Sequence, residues 1–207
     1  MGIEQRLVWC DFETTGFTEL SKHMVYKHKV LEIGVIVTDQ DFNIINQLNL
    51  VIGHNREEAM RWADDVVIDM HTKNGLWDDC ANSTLSLQAA EIQLLEFLAA
   101  NGVTRGQSLL WGNSVFLDRA FMEAQMPEFC KYLHFRNGDI SSVREFLKVI
   151  APLFEFERVN TEKVSAHRAM GDITESINEA KSYRALLGPL LQQVLKAKPQ
   201  GNEPEPR

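Results

Sequence analysis

Leu7-Val-Trp-Cys-Asp-Phe-Glu13 and Val30-Leu-Glu-Ile-Gly-Val-Ile-Val-Thr38 decide the fold. Both runs are rich in β-branched and aromatic residues and read as strands. Side chains alternate along a strand, so Asp11 and Glu13 point to one face of the first. A third strand is expected from Asn43 to Ile52, bounded by Asp39, Asp41 and Gly53. The three strands form an antiparallel meander.

Beyond it the periodicity changes. From Arg56 onward the pattern is helical and irregular, through Met60, Trp62, Val66 and Met70. Leu85 to Ala100 is the clearest helix, with Leu87, Glu91, Leu94, Leu95 and Leu98 on the helical repeat and Asn101-Gly102 as its stop. A short buried strand is expected from Gln107 to Gly112, a helix from Val115 to Gln125 and another from Ser141 to Ile150, ahead of Pro152. The last helix starts near His167 or Ala169 and runs to about Leu187, with Pro189 as its interruption. Strands followed by helices interleaved with another strand imply an α/β fold, a mixed central sheet flanked by helices. One domain spans residues 1–190. Residues 191–207 are read as a disordered tail, because the last nine residues hold three of the six prolines.

The 207 residues are 44% apolar and 24% charged, ordinary for a folded globular chain. No stretch nears the roughly 18 apolar residues of a membrane span, and the N-terminus reaches Asp11 without a secretory leader. With 21 basic against 29 acidic residues the net charge is −8, the wrong sign for coating long duplex nucleic acid. It leaves room for an enzyme that handles short polyanions behind screening cations. Cys10, Cys80 and Cys130 form no C-x-x-C pair, so a reducing, cytoplasmic setting is expected.

Three segments carry chemistry. Asp11-Phe12-Glu13 puts two carboxylates side by side, which repel unless a hard cation such as Mg²⁺ or Mn²⁺ lies between them; two solvated acids at a strand end are the alternative. Trp111-Gly112-Asn113-Ser114-Val115-Phe116-Leu117-Asp118 reads as strand end, cap and helix. Asn113 or Ser114 would cap that helix, and Asp118 would lie one turn inside it, facing the sheet. His167-Arg168-Ala169-Met170-Gly171-Asp172 spaces a histidine and an acid by five residues. That is about 140° on a helix, so His167 is expected just before the helix and Asp172 on it. Histidine in that setting suits a general base near neutral pH, or is plain polar surface.

In this order the segments resemble the DEDD exonuclease superfamily in its histidine-type form (DEDDh), and within it the oligoribonucleases. Further matching runs are His71 to Leu76, Tyr132 to Arg136, Asp139 to Phe146 and Ala166 to Arg184, so the likeness covers roughly residues 7–187. The resemblance implies a ribonuclease H-like fold. It implies that Asp11, Glu13, Asp118 and Asp172 hold two divalent ions, Mg²⁺ or Mn²⁺, and that His167 is the general base. Short single-stranded RNA would be hydrolysed from its 3′ end to 5′-mononucleotides. His134 and Arg136 would cap a 5′ phosphate across a homodimer, with Phe17, His71, Asn113 and Ser114 as further substrate contacts.

Three features depart from the family pattern. Phe135 stands where the family has tyrosine, and Phe17 stands where it has leucine. The loop Thr18 to Lys29 is long and carries Lys22, His23, Lys27, His28 and Lys29. A basic loop suits longer substrates, so a broader 3′–5′ exonuclease acting on single-stranded DNA or longer RNA is the alternative. A catalytically silent nucleic-acid-binding module is a further alternative. No G-x-G-x-x-G follows a strand, which removes a dinucleotide-cofactor binder.

Overall fold

Leu7–Thr14 (β1) runs through the middle of a five-stranded sheet in the computed structural model, which describes residues 5–16, 27–150 and 167–197. Val30–Thr38 (β2) pairs antiparallel with β1, and Ile44–Val51 (β3) antiparallel with β2. Leu110–Gly112 (β4) lies parallel on the other side of β1, and Asn137–Asp139 (β5) parallel to β4. The order is β3-β2-β1-β4-β5. Every residue of β2 is buried, because both faces of that strand are covered; this is why the run is mostly apolar and β-branched.

The helices are Arg56–Met60 (α1), Asp65–Lys73 (α2), Leu76–Asn82 (α3), Leu87–Ala100 (α4), Phe116–Gln125 (α5), Pro127–Tyr132 (α6), Ile140–Ile150 (α7) and Ala169–Ala197 (α8). On one face of β1, Val8, Cys10 and Phe12 pack with Leu94 and Leu98 of α4, Phe121 and Met122 of α5 and Phe129 of α6. On the other face, Leu7 and Trp9 meet Ile36, Ile140 of α7, and Ile173, Ile177 and Ala180 of α8. Each fully buried aliphatic side chain contributes about 1.5–3 kcal/mol. Asp11 and Glu13 continue the Leu7–Trp9 series, so alternation aims them at the α8 side. A third cluster seats α1 to α3 against Leu31 at the start of β2, with Ala59, Val67, Leu76 and Trp77.

α8 lies close on the sheet because β2 carries Gly34, the register partner of Asp11. A Cβ there would sit 2.8 Å from Ile173 Cδ1 and 3.0 Å from the Ala169 Cβ.

Several expectations need correction. The fourth strand pairs only over Leu110–Gly112, and β5 and α6 were not foreseen. Neither Asn113 nor Ser114 caps α5 through its side chain; Asp139 Oδ2 instead accepts from the Val115 N–H at 3.2 Å. α8 runs through Pro189 to Ala197, so residues 191–197 are helix rather than tail. Gly188 lacks the Cβ that a following proline ring would crowd, which lowers the cost of continuing. Residues 198–207 and Phe17, with most of the 18–29 loop, lie outside the described residues. No helix among the described residues is long and apolar enough to cross a membrane.

Candidate active site

The C-terminal end of β1, the start of α5 and the start of α8 meet in a cleft of about 630 Å³. Asp11, Glu13 and Asp172 each offer a carboxylate oxygen within 4.8 Å of the others. Asp118 lines the same cleft from α5, buried, and its Oδ1 accepts from the Phe12 N–H at 2.9 Å. That bond ties the acid to the backbone between Asp11 and Glu13. His167 lines the cleft from the turn before α8, in a left-handed conformation at φ 60°. Five residues from three distant segments of the chain therefore converge, and His167 and Asp172 stand as the helical spacing requires.

The electrostatics are those of crowded acids. Burial, then the neighbouring Asp118, Glu13 and Asp172, push the Asp11 carboxyl well above its ordinary range. Burial with Asp172 and Glu32 raises Glu13 to about 8, and burial raises Asp118 to about 7 despite the Phe12 hydrogen bond. Ionised together, these groups are stable only beside positive charge. An all-oxygen donor set of this kind fits Mg²⁺ or Mn²⁺.

A pH dependence follows. A carboxyl raised from 4.5 to about 8 binds more protons folded than unfolded across that window, so the metal-free protein loses stability as pH rises through it. A bound cation removes the penalty. The increase in Tm on adding Mn²⁺ is expected to be larger near pH 8 than near about pH 5.5. Metal addition at neutral pH should release protons, seen as a buffer-dependent calorimetric heat. Equal Tm increments at both pH values would exclude these carboxylates as the cation ligands.

The walls of the cleft come from two sides. Asn113 and Ser114 line it on the α5 side, and the Asn113 Nδ2 donates to Ser176 Oγ at 2.9 Å and Glu179 Oε2 at 3.3 Å. Opposite, α2 contributes Val66, Met70 and Lys73. The sequence reading did not assign these three to the site; the available signal was Val66 and Met70 in the irregular helical stretch.

The remaining residues lie elsewhere. His71 is fully buried and does not line the cleft. Its Nε2 stands behind Glu13 Oε2 at 3.6 Å, too long for a direct hydrogen bond, and burial lowers its imidazole to about 4. The neutral ring backs the carboxylate from outside the cleft lining. His134 and Arg136 do not line the cleft either. His134 borders a separate hollow with Phe135, beside the buried Arg119. Arg119 Nη2 donates to the His134 carbonyl at 2.9 Å and to Asn137 Oδ1 at 2.8 Å, holding that loop. Phe135 is 78% exposed, with His134 stacked on it at 4.4 Å and the Arg136 guanidinium 5.4 Å from its centroid.

Known proteins resemble this chain in sequence and in fold. A family model described as Exonuclease (RNase_T) matches residues 8–180. An oligoribonuclease of Corynebacterium diphtheriae is 40% identical over 179 residues, 86% of this chain and 81% of that protein. A probable oligoribonuclease of Dictyostelium discoideum is 39% identical over 181 residues, 87% and 89% of the two chains. Among solved structures, the zinc-bound complex of E. coli exonuclease I with single-stranded DNA superposes with a TM-score of 0.67 at 14% identity. That match covers 93% of this chain but only 43% of the other. S. pombe Pop2p, bound to Mg²⁺ and Mn²⁺, gives a TM-score of 0.59 at 16% identity, covering 86% and 82%. At such identities the two structures share the fold.

Proposed function

This chain belongs to the RNase T exonuclease family, and we propose that it hydrolyses short RNA with two divalent ions held by Asp11, Glu13, Asp118 and Asp172. It is a 3′-to-5′ exoribonuclease, in keeping with its oligoribonuclease relatives. Three carboxylates within 4.8 Å in the cleft, with a fourth on its wall, carry the metal reading. Two divalent ions bound there would supply charge stabilisation at the scissile phosphate and a lowered pKa for the attacking water.

The protein's own groups do the rest. His167, at the edge of the cleft, takes the proton of the attacking water. Asp118 keeps its carboxylate in register with β1 through the Phe12 N–H. Val66 and Met70 offer an apolar wall to a nucleobase, and Lys73, ion-paired with Asp69, adds a cation to the cleft lining for a backbone phosphate. Ser114 supplies a hydroxyl on the opposite wall. The three cysteines are free thiols, which fits a cytoplasmic enzyme.

The His134–Arg136 strip suits the 5′ phosphate of a substrate held in a second copy's cleft. His134 Nδ1 accepts the Arg136 N–H at 3.0 Å, so the other ring nitrogen carries the proton and can donate. Arg136→Ala is expected to weaken binding of a 5′-phosphorylated dinucleotide by about tenfold to a hundredfold, the worth of a charge-assisted bond. A dinucleotide lacking that phosphate should be little affected; equal losses for both would remove Arg136 from the cap.

The deciding experiment offers 5′-labelled RNA and DNA of two, five and twenty nucleotides, with EDTA as control. Fast cutting of the RNA dinucleotide and slow cutting of the twenty-mer supports the short-RNA reading. Equal or faster cutting of long RNA or DNA refutes it, and makes this a general 3′ exonuclease.

A further inference from the structure

His167 is not glycine, yet it sits at φ 60°. A left-handed residue with a side chain persists only where its neighbours over-determine it. The neighbours here are specific. Arg168 reaches across to Glu32 of β2 with two arms, Nη2 to Oε1 at 2.8 Å and Nε to Oε2 at 3.0 Å. Glu32 is 1% exposed, and its Oε2 also accepts the Ala169 N–H at 3.1 Å, closing the first turn of α8. Asn49 Nδ2 donates to Glu32 Oε1 at 2.9 Å. On the other side, Asn74 at the end of α2 donates its amide to the His167 carbonyl at 2.6 Å, and Asp79 of α3 accepts from Arg168 Nη1 at 2.8 Å.

We infer that Arg168 and Glu32 are positioning residues for His167, fixing the left-handed turn from which its imidazole reaches the cleft. Glu32 is the register partner of Glu13 and stands beside the metal carboxylates. Both its oxygens are already engaged by Arg168, Asn49 and the α8 backbone, so it serves as an anchor and not as a fifth ligand. Among the described residues, the guanidinium is the side chain by which the turn itself is tied to β2. Without it the left-handed residue can relax and carry the imidazole away from the reacting water.

This inference rests on His167 being the general base, and the test separates the two. Single-turnover rates, KM and half-saturating Mn²⁺ are measured for the parent protein, Arg168→Ala, Arg168→Lys, His167→Ala and the double variant His167→Ala/Arg168→Ala. Arg168→Ala is expected to lower kcat by about tenfold to a hundredfold, the cost of a misplaced catalytic group, with KM nearly unchanged; because Arg168 also offsets the Glu32 charge beside Glu13, half-saturating Mn²⁺ is read on the charge-keeping Arg168→Lys and should be unchanged there. Arg168→Lys keeps the charge without the fork and should fall between the two. In the double variant the Arg168 change should cost much less than it does alone, because its route through His167 is already gone. A fully additive loss in the double variant, a raised half-saturating Mn²⁺ in Arg168→Lys or an unchanged kcat in Arg168→Ala overturns the positioning role. If His167→Ala alone keeps the parent rate, the base assignment falls, and the positioning role with it. Should Arg168→Ala not fold, Asn74→Ala puts the same question through the His167 carbonyl and is judged by the same outcomes.

Discussion

Asp118→Asn is expected to lower the hydrolytic rate by at least about a thousandfold, since Lewis-acid stabilisation is worth several kcal/mol and each 1.4 kcal/mol is a decade in rate. The same change should leave the metal-free protein at least as stable as the parent. The two effects have one origin. Asp118 is buried among acids and its carboxyl is raised to about 7, so the folded state bears the cost of ionising it whenever no cation is there. Asparagine removes the charge and keeps an oxygen to accept the Phe12 N–H. Alanine is the poorer probe, because it strands that buried N–H at a cost of about 1–3 kcal/mol. Thermal melts with and without Mn²⁺, beside the rate, check this. A variant that keeps the parental rate would falsify the assignment of Asp118 to the metal set.

His167→Ala is expected to cost about a hundredfold to ten-thousandfold in kcat, the range of a positioned general base. Unlike Asp118→Asn, it should leave the Mn²⁺-dependent rise in Tm intact, because His167 lies outside the carboxylate cluster. The imidazole is exposed at the cleft edge and its removal opens no core cavity. A calorimetric titration of metal into the variant distinguishes the roles: loss of metal binding together with rate would make His167 a ligand instead.

The carboxylate site was legible because its logic is local. Asp11 and Glu13 share a face by strand alternation, and His167 precedes the helix that carries Asp172 because five residues cannot share a helix face. The nine residues of β2 were readable because burial on both faces leaves no polar interruption other than Glu32, Gly34 and Thr38. What stayed hidden is set by distance in the chain. Glu32 and Arg168 lie 136 residues apart, and no pattern near either announces the other. Asn137–Asp139 is a strand only because Leu110–Gly112 lies beside it; three residues carry no periodicity of their own. Asn113 resembles a helix cap in sequence, but Ser176 and Glu179 of α8 claim its amide. Pro189 reads as a helix stop, yet the helix passes it.

Gly34 sets a length as well as a packing distance. The helix that carries Asp172 rests on the sheet with no side chain between Ala169, Ile173 and the strand position opposite Asp11. One added methyl would lift that end of the helix by a few tenths of an ångström and draw Asp172 away from its partners. So small a shift leaves the fold in place but acts on the ion, and Mg²⁺, which demands near-ideal octahedral geometry, is the first to feel it. Position 34 is thus a gauge block for the depth at which Asp172 sits, built into the middle of a strand that does not itself line the cleft.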